Sequence, residues 1–589
     1  MSTRELITEH LDLWTLAVTK KASSGRGSNG KVELTGAQKL RELILELAIR
    51  GNLVSQNPDH EPAVIHLQNA ANEQVRLVKS GVLKKAKKPK PIAGTDGLFK
   101  LPSGWAFCRL ADIGHISNGN SISQIDKEAK YAKLEGGVPY IATKDVGYGF
   151  TSLHYDNGVR TPRDENFKIA SPGSILICSE GGSAGKKCGI TNQDISFGNK
   201  LYALQPFAET CSQFILSFYL TQTFRRQFEE RMTGIIGGIS LSKFESIIIP
   251  VPPLEEQRLI VQKVDELMAL CDRLEQQTSD QLEAHEVLVD TLLGTLTQSD
   301  NTTELEDNWA RLAAYFDTLF TTEQSIDKLK QAILQLAVMG RLVEHYHENE
   351  TSPDATETNT PTRFHSNTQN KKKNRGSALP IDITEKPFAV PESWRWERVN
   401  NLIESNRDIS YGIIKLGKEP QAGGVHTLRC SDVKPRYIDS STVRRVSEEI
   451  ESSYQRTRLE GGEVLLNIRG TLGGVALVPY ELRGFNIARE VAMLPFGSSV
   501  FGPYMVNLIA SPFFWKMIES NLKGIAYKGL NLSTLRSLAI PIPPIDEQKS
   551  IVQKTDELLG LCDQLKERLS QANETRYQMA EAVVEVSLN

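Results

Sequence analysis

A 29-residue stretch that occurs twice constrains this chain more than any other feature. Residues 249–277 and 540–568 align without a gap at an offset of 291 positions, and 17 of the 29 pairs are identical. Each copy opens with Pro-x-Pro-Pro, which ends one element and suits the first turn of a helix because proline fixes φ. Acidic residues follow at once, where a helix N-terminus favours negative charge. The repeat therefore predicts two helices that begin in the same way.

Behind the prolines, seam positions recur at alternating intervals of four and three residues. The first copy has Ile260, Val264, Leu267, Cys271 and Leu274, and the second has Ile551, Thr555, Leu558, Cys562, Leu565 and Leu569. A mean period of 3.5 residues is typical of a coiled coil. We expect each helix to run for ~45 residues and about 65 Å. An ordinary amphipathic helix in a globular core is the alternative, but it does not explain why one long seam occurs twice.

The composition indicates a multidomain protein of the cytoplasm. A length of 589 residues suggests several domains, and a hydrophobic content of 40% suffices for buried cores. The N-terminus lacks the basic start and apolar run of a signal peptide, and no apolar run approaches the ~20 residues of a membrane span. The seven cysteines include no Cys-x-x-Cys pair. This argues against a disulfide framework or structural zinc and fits a reducing compartment.

The net charge of −4 conceals a segregation of charge along the chain. Residues 251–350 hold 7 Lys and Arg against 20 Asp and Glu, whereas residues 386–541 hold 20 against 15. Residues 96–250 are close to neutral, with 16 basic and 15 acidic side chains. The distribution of charge along the chain matters more than the net charge when a protein binds a polyanion. We therefore expect acidic helices beside neutral-to-basic globular parts.

The duplication extends beyond the long helices. Residues 39–54 resemble residues 328–343, and both segments are helical by pattern and end at a glycine, Gly51 or Gly340. Because the central helical segment has its equivalent split between the two ends of the chain, we expect those ends to lie side by side. In that arrangement Trp14 occupies the position equivalent to that of Trp309.

Between the helical segments, short β-type runs broken by glycine turns occur as matching pairs. They predict an α+β fold with two mixed α/β domains, separated by long antiparallel coiled-coil helices and related by an internal pseudo-twofold repeat. The predicted segments are an N-terminal helical region with a basic linker (1–95), a first α/β domain (96–250), a central helical spacer (251–347), a flexible linker (348–385), a second α/β domain (386–541) and a C-terminal helix (542–589).

We find no motif for catalysis, cofactor binding or metal binding. The best phosphate-loop candidate, residues 181–187, fails because Glu180 stands where the first glycine is needed and Lys187 where Ser or Thr is needed. Neither Gly-x-Gly-x-x-Gly nor the Asn-Pro-Pro-aromatic motif of amino-methyltransferases is present, and the histidines show no metal spacing. We expect a non-catalytic chain without a cofactor or metal of its own.

Basic and polar side chains of the two α/β domains are the candidates for binding DNA, because such groups grip phosphates and read base edges. Two of them, Thr143 and Ser431, lie beside paired strand ends. For any single residue a solvated surface charge is the alternative, and the lysine run at 84–90 is read first as a solvated linker. The candidates are Thr143, Lys144, Arg160, Arg163, Lys186, Lys187 and Lys200 in the first domain, and Arg429, Ser431, Lys434, Arg436, Arg444, Arg445, Arg469, Arg489 and Lys528 in the second.

Two variable α/β domains, each followed by a Pro-x-Pro-Pro-[Leu/Ile]-[Glu/Asp]-Glu-Gln helix, resemble the specificity subunit of a Type I restriction–modification enzyme. The most specific part is the pair of motifs at residues 250–257 and 541–548. The resemblance covers nearly the whole chain.

The resemblance implies that each α/β domain is a target-recognition domain that reads one half of a split DNA sequence. It also implies that the helices set the spacer and dock two modification (methyltransferase) subunits, with restriction subunits joining the assembly. S-adenosylmethionine would then bind the modification subunits, and ATP with magnesium the restriction subunits.

Two readers on a pseudo-twofold pair of helices should read half-sites in opposite senses, with centres roughly 10 bp apart. Because the two domains differ in sequence, the half-sites should differ as well. One rival is a self-contained restriction enzyme, which needs catalytic motifs that we do not find. The other is a scaffold whose paired domains bind proteins instead of DNA, and the segregation of charge weighs against it.

Overall fold

The computed structural model describes residues 9–15, 18–20, 31–83, 92, 98–132, 134–150, 153–164, 166–207, 209–233, 237–299, 301–343, 380–522 and 529–588. The chain divides into two units. Unit 1 comprises Met1–Leu282 with Ala572–Asn589, and unit 2 comprises Glu283–Gln571. In the described residues, no helix is both long enough and apolar enough to cross a membrane.

The long helices are α9 (Leu254–Gln298) and α17 (Ile545–Leu588), and each contributes one part to each unit. The other helices of unit 1 are α1 (Leu11–Trp14), α2 (Thr35–Ile49), α3 (Ala63–Lys79), α4 (Leu110–Ile113), α5 (Gln124–Ala129), α6 (Ser212–Tyr219), α7 (Gln222–Arg231) and α8 (Leu241–Glu245). Those of unit 2 are α10 (Thr302–Ala314), α11 (Phe316–Leu319), α12 (Glu323–Val338), α13 (Glu448–Glu451), α14 (Gly502–Ala510), α15 (Pro512–Leu522) and α16 (Leu532–Ser537).

The strands of unit 1 are β1 (Val18–Lys20), β2 (Lys31–Glu33), β3 (Ala106–Arg109), β4 (Gly114–Asn118), β5 (Val138–Ile141), β6 (Arg160–Thr161), β7 (Ile169–Ala170), β8 (Ile175–Cys178), β9 (Cys188–Ile190), β10 (Ile195–Phe197), β11 (Leu201–Pro206) and β12 (Ile248–Val251). Those of unit 2 are β13 (Arg395–Arg398), β14 (Ser410–Tyr411), β15 (Val425–Leu428), β16 (Val433–Lys434), β17 (Tyr437–Ile438), β18 (Arg444–Val446), β19 (Val464–Asn467), β20 (Val475–Leu477), β21 (Asn486–Ile487), β22 (Val491–Leu494) and β23 (Ala539–Ile542).

The strands form small sheets with a similar plan in the two α/β domains. The first domain has sheets in the order β6-β5-β10-β7 and β4-β11-β8-β9, and the second has β18-β15-β21, β14-β22-β19-β20 and the hairpin β16-β17. Among the strands of the described residues, one pair in each domain is parallel, β5 with β10 and β15 with β21. A separate antiparallel pair closes each domain, β3 with β12 and β13 with β23. The predicted α+β fold with two mixed domains is confirmed.

The predicted helices and their seam are also confirmed. The helices α9 and α17 have 45 and 44 residues. Ile260, Val264 and Cys271 are buried in one apolar cluster, while Ile551, Thr555 and Cys562 are buried at the matching positions of α17. Apolar contacts along one stripe therefore hold each long helix, as the 3.5-residue period requires.

The proline motif ends one element and precedes a helix, as predicted, since β12 ends at Val251 and α9 begins at Leu254. The helix α9 begins at Leu254, and the carbonyl of Pro253 accepts its first hydrogen bond, from the Gln257 N–H at 3.0 Å. Pro250 lies earlier, within β12, where it pairs with Phe107. The prolines precede the helix because Pro250 belongs to β12, while the carbonyl of Pro253 caps the start of α9.

The circular relation between the halves appears within each unit. In unit 1 the Lys39 ammonium of α2 pairs with Glu581 of α17 at 3.1 Å. In unit 2 the matching Lys328 of α12 pairs with Asp290 of α9 at 2.7 Å. Arg50 also donates to the backbone carbonyl of Leu588 at 2.6 Å. The last turns of the chain therefore lie against its first long helical segment, as expected.

The proposed equivalence of Trp14 and Trp309 is wrong. Trp14 is fully buried, whereas Trp309 is 42% exposed on α10. Phe320, three residues before α12, is buried instead. The terminating glycines behave as predicted, since Gly51 and Gly340 both adopt a positive φ, 75° and 71°, directly after the helix end.

Candidate nucleic-acid interface

Each α/β domain is attached to its long helix by the Glu-Gln pair that follows the prolines. In unit 1 the buried carboxylate of Glu256 accepts a hydrogen bond from the Trp105 indole N–H at 3.0 Å and another from Gln56. The neighbouring Gln257 accepts the backbone N–H of Cys211 at 3.2 Å and donates to the carbonyl of Pro252 at 3.1 Å. The start of α9 is thus tied both to the strand that enters the domain and to the start of α6.

Unit 2 has the same contacts at the matching positions of its own sequence. Glu547 accepts from the Trp394 indole N–H at 2.8 Å. Gln548 accepts from the backbone N–H of Phe501 at 2.7 Å and donates to the carbonyl of Pro543 at 2.9 Å. The same two side-chain types therefore hold two α/β domains whose other sequences differ.

In the first domain, the strand β5 leads into a turn at residues 142–145, which we name the first capped turn. The buried carboxylate of Asp145 accepts the backbone N–H of Ala142 at 2.9 Å and the amide of Asn157 at 2.8 Å. These bonds fix the backbone on both sides of Thr143 and Lys144. The Lys144 side chain is exposed and Thr143 is half-buried.

Contacts join the first capped turn to the lysines of the neighbouring loop. The Lys187 ammonium donates to the carbonyl of Thr143 at 3.3 Å and lies 5.4 Å from the ring centre of Tyr148. Lys186 precedes it and is exposed. The structure therefore brings together four of the predicted residues of this domain, and adds the exposed ring of Tyr148, which sequence reasoning missed.

The other predicted residues of the first domain have separate surroundings. Arg160, on β6, donates to the carbonyl of Gly137 at 2.8 Å, and Arg163 forms an ion pair with Asp194. Lys200 is exposed, directly before β11. Two of these three cations thus have partners inside their own domain.

In the second domain, the matching turn at residues 429–432 is the second capped turn. Asp432 accepts the backbone N–H of Arg429 at 2.8 Å and also its guanidinium, with Nη2 at 3.1 Å. The bond to Asp432 raises the pKa of Arg429. The Ser431 hydroxyl donates to the same carboxylate at 2.8 Å, and the Asn467 amide donates to the carbonyl of Cys430 at 3.0 Å. Arg429 therefore braces the turn instead of projecting freely from it.

Arg444 and Arg445 lie beside this turn, because β18 pairs with β15 and places Arg444 opposite Thr427. Arg444 donates to the carbonyl of Gly417 at 2.5 Å, while the Arg445 side chain is exposed. Further cations stand at strand ends or turns, with Lys434 on β16, Arg469 after β19 and Arg489 beside Glu490, 3.7 Å from its carboxylate. Lys528 and the lysine run at 84–90 lie outside the described residues.

Arg436 differs from the other cations of the second domain. Its φ is 70°, and it is the one non-glycine residue with a positive φ in the described part of the chain. A non-glycine residue in this region costs about 1–2 kcal/mol. Its guanidinium forms an ion pair with Asp556 of α17, and its backbone N–H donates to the carbonyl of Val475 at 2.7 Å.

The capped turns had a signal in the sequence that went unused. Both paired segments end in Asp-Val, at residues 145–146 and 432–433, and both aspartates are buried caps. A carboxylate directly after an apolar strand is well placed to accept backbone N–H groups. Searching the paired runs for a shared acidic residue would have located both turns.

The buried carboxylate of Glu256 is the main electrostatic anomaly of the attachment in unit 1. Burial raises the pKa of Glu256, while the hydrogen bonds from Trp105 and Gln56 oppose that shift. Within the described ranges, no group of three or more His, Cys, Asp or Glu side chains is arranged to hold a metal ion.

The fold and the site together define a two-domain recognition subunit built on a repeated pair of long helices. Residues 102–284 and 423–574 match the family described as the Type I restriction modification DNA specificity domain. The chain belongs to this family of Type I restriction–modification specificity subunits.

Individual relatives agree with that assignment. The chain is 32% identical to the specificity subunit of the Type I restriction enzyme EcoAI from Escherichia coli, over all of both chains, and 32% identical to the EcoEI subunit of the same organism, again over all of both. Among solved structures, it is similar to the HsdS subunit from Thermoanaerobacter tengcongensis at 16% identity. That likeness covers 84% of this chain and 98% of the other, with a TM-score of 0.37.

Proposed function

We propose that this chain is the DNA-reading subunit of a Type I restriction–modification complex, and that each α/β domain reads one half of a bipartite, asymmetric site. The single observation that carries this proposal is the pair of capped turns. Both have the same buried aspartate and the same backbone hydrogen bond, but the residues between differ, Thr143 and Lys144 in one and Cys430 and Ser431 in the other. Two turns with the same backbone hydrogen bond but different side chains suit two domains that bind different DNA sequences.

The contacts to DNA follow from the exposed and half-buried side chains around these turns. In the first domain Thr143, Lys144, Lys186 and Lys187 form one connected edge, and in the second Ser431, Lys434 and Arg445 take the corresponding place. Six further predicted cations serve as peripheral phosphate contacts, which position a protein without reading bases. These are Arg160, Arg163, Lys200, Arg444, Arg469 and Arg489.

The long helices set the spacer between the half-sites and dock two modification subunits, with restriction subunits joining the assembly. Exposed apolar side chains at matching positions of the two helices support a repeated docking surface. Leu270 of α9 corresponds to Leu561 of α17, and Leu288 corresponds to Met579, and all four are exposed. A surface present in two equivalent copies suits two copies of one partner.

The chain itself is not the catalyst in this proposal. S-adenosylmethionine binds the modification subunits, and ATP with magnesium binds the restriction subunits, so this subunit supplies specificity to both reactions. The failed phosphate-loop pattern at residues 181–187 supports that division. The seven cysteines are all free thiols, which supports a reducing compartment such as the cytoplasm.

A competition binding assay tests the proposal. The full chain, together with its methyltransferase partner, is challenged with random duplexes, and the retained duplexes are sequenced. We expect a split motif with a fixed gap and two different halves. A single unbroken motif would mean that one domain does not read DNA. No enrichment at low or moderate salt would favour the alternative function, a scaffold whose paired domains bind proteins.

The spacer role has its own test. Four residues, about one helical turn, are inserted after Leu274 in α9. We expect an altered gap between the half-sites or a loss of assembly. A retained gap of the original length in an assembled complex would refute the role of the helices as a ruler. Insertion of four residues into the linker predicted at 348–385 is the matched control, because that segment lies outside both predicted domains and both long helices.

A further inference from the structure

We propose that Arg436 is a positioning residue, which holds the second domain on α17 through Asp556 and so fixes where its reading edge stands over the DNA. This inference rests on the proposed function. It replaces the prediction that Arg436 contacts DNA directly. Three observations carry it: the ion pair itself, the backbone conformation at Arg436, and the contrast with the first domain.

The ion pair joins two parts of unit 2 that differ in role. Arg436 lies four residues after the buried Asp432, on the short link between β16 and β17, while Asp556 lies on α17. The neighbouring residues Ile551 and Val552 of α17 belong to the apolar cluster of the second domain. Arg436 therefore adds a polar contact about one helical turn beyond the apolar attachment, on the side of the capped turn.

The backbone at Arg436 has a positive φ, which an arginine does not favour. Gly149 lies four residues after Asp145 and is the counterpart of Arg436, with a φ of 81°. Glycine adopts such a φ without strain, whereas arginine does not. The residues before them match as well, since Tyr148 bridges to Cys188 and Pro435 bridges to Val475. An arginine at a position that suits glycine is explained by what its side chain binds.

The first domain does not have this contact. The counterpart of Asp556 is Asp265 of α9, which is exposed and forms no hydrogen bond or ion pair with any described residue. Gly149 has no side chain to offer it. The second domain thus has a polar connection to its long helix that the first domain lacks, and this connection is adjacent to the capped turn.

Four variants of the full chain, assembled with the methyltransferase partner, test the inference. Arg436→Gly and Asp556→Asn each remove the ion pair, and glycine is compatible with the backbone at 436. Combining Arg436→Asp with Asp556→Arg reverses the pair, since aspartate tolerates a positive φ better than most residues. Asp265→Asn is the matched control. Affinity is measured on duplexes that carry both half-sites with the gap at its selected length or changed by one base pair, over a range of salt concentrations.

We expect Arg436→Gly and Asp556→Asn to reduce the preference for the selected gap by similar factors, about two- to fivefold, as an exposed ion pair allows. The reversed pair should restore part of that preference, and Asp265→Asn should leave it unchanged. The dependence of log affinity on log salt concentration should keep its slope in Asp556→Asn. Arg436→Gly should match it, because no phosphate contact is lost.

The opposite pattern would overturn the inference. If Arg436 is a phosphate contact, Arg436→Gly lowers affinity at every gap length and reduces the salt slope by about one, while Asp556→Asn leaves gap preference intact. Failure of the proposed function is distinguishable, because wild type itself would then select no split motif. In that case hydrogen exchange still decides the inference. Arg436→Gly and Asp556→Asn should both speed exchange at residues 433–438, and equal protection in all variants would refute the contact.

Discussion

The carboxylate that joins the first domain to α9 offers the sharpest test of the attachment. Glu255 and Glu256 are adjacent acids in the first turn of the same helix, so both experience the favourable N-terminal dipole. Glu255 is exposed and pairs with Arg258 at 2.7 Å, whereas Glu256 is 1% exposed and holds Trp105 and Gln56. Substituting each in turn therefore separates the buried contacts from the charge at the helix start.

We expect Glu256→Ala to destabilise unit 1 by about 1–3 kcal/mol, because the buried indole N–H of Trp105 loses its acceptor, whereas the exposed Gln56 can bond to water instead. Glu255→Ala should change the free energy of unfolding by no more than about 0.5–1 kcal/mol, the usual value of an exposed ion pair. Glu256→Gln keeps an acceptor for the indole N–H, and should therefore fall between the two. Unfolding in denaturant, followed by tryptophan fluorescence, measures all three.

Equal effects of Glu255→Ala and Glu256→Ala would refute this account, since they would mean that the buried hydrogen bonds contribute nothing beyond the helix dipole. Unit 2 provides an independent repeat. Asp546 is exposed and pairs with Lys549 at 3.0 Å, while Glu547 accepts the Trp394 indole N–H at 2.8 Å. The order of the two costs should be the same there.

Three further outcomes are expected. Burial raises the pKa of Glu256 in the folded state, so its protonation stabilises the fold at acid pH, and this stability is lost as the pH rises through the raised pKa. Glu256→Gln should remove this pH dependence of the unfolding free energy, measured between about pH 4 and pH 7. Gly149→Ala should destabilise unit 1 by about 1–2 kcal/mol, seen as a lower unfolding midpoint, because φ is 81° and the new methyl would lie 3.1 Å from Leu220. Lys187→Met should lower DNA affinity at all sequences and reduce the salt slope by about one, whereas an unchanged slope would remove Lys187 from the interface.

The repeated sequence was enough to predict the long helices, their seam and the paired domains, because periodicity and internal repetition depend only on which residues recur. The proline motif was also correctly predicted to end one element and start a helix, but the sequence alone does not show which proline lies in a strand. Proline suits both an edge strand and the residue before a helix, and the choice depends on β3, a strand about 140 residues earlier that pairs with Pro250. Trp14 and Trp309 were matched by residue type, although their burial is set by neighbours that the sequence does not identify.

The candidate cations were predicted by charge, and charge alone does not distinguish a side chain that faces DNA from one that is bound inside its domain. Arg429 and Lys144 illustrate the difference. Both lie in capped turns, but Arg429 reaches its own capping carboxylate at 3.1 Å, while Lys144 is exposed. Which applies depends on the rotamer and on tertiary neighbours, and the charge of a residue in a sequence identifies neither.

The attachments also explain how two domains of different sequence use one repeated helix start. In each Glu-Gln pair, the Glu accepts a hydrogen bond from a tryptophan indole N–H. The Gln bonds to backbone groups, namely the N–H of Cys211 or Phe501 and a proline carbonyl. Backbone groups are present whatever the side chains are, so these contacts place little restriction on the domain they hold. The capped turns follow the same logic, because aspartate binds a backbone N–H while the residues between are free to differ. Attachment through backbone groups and reading through side chains can therefore change independently, as the proposed reading of two different half-sites requires.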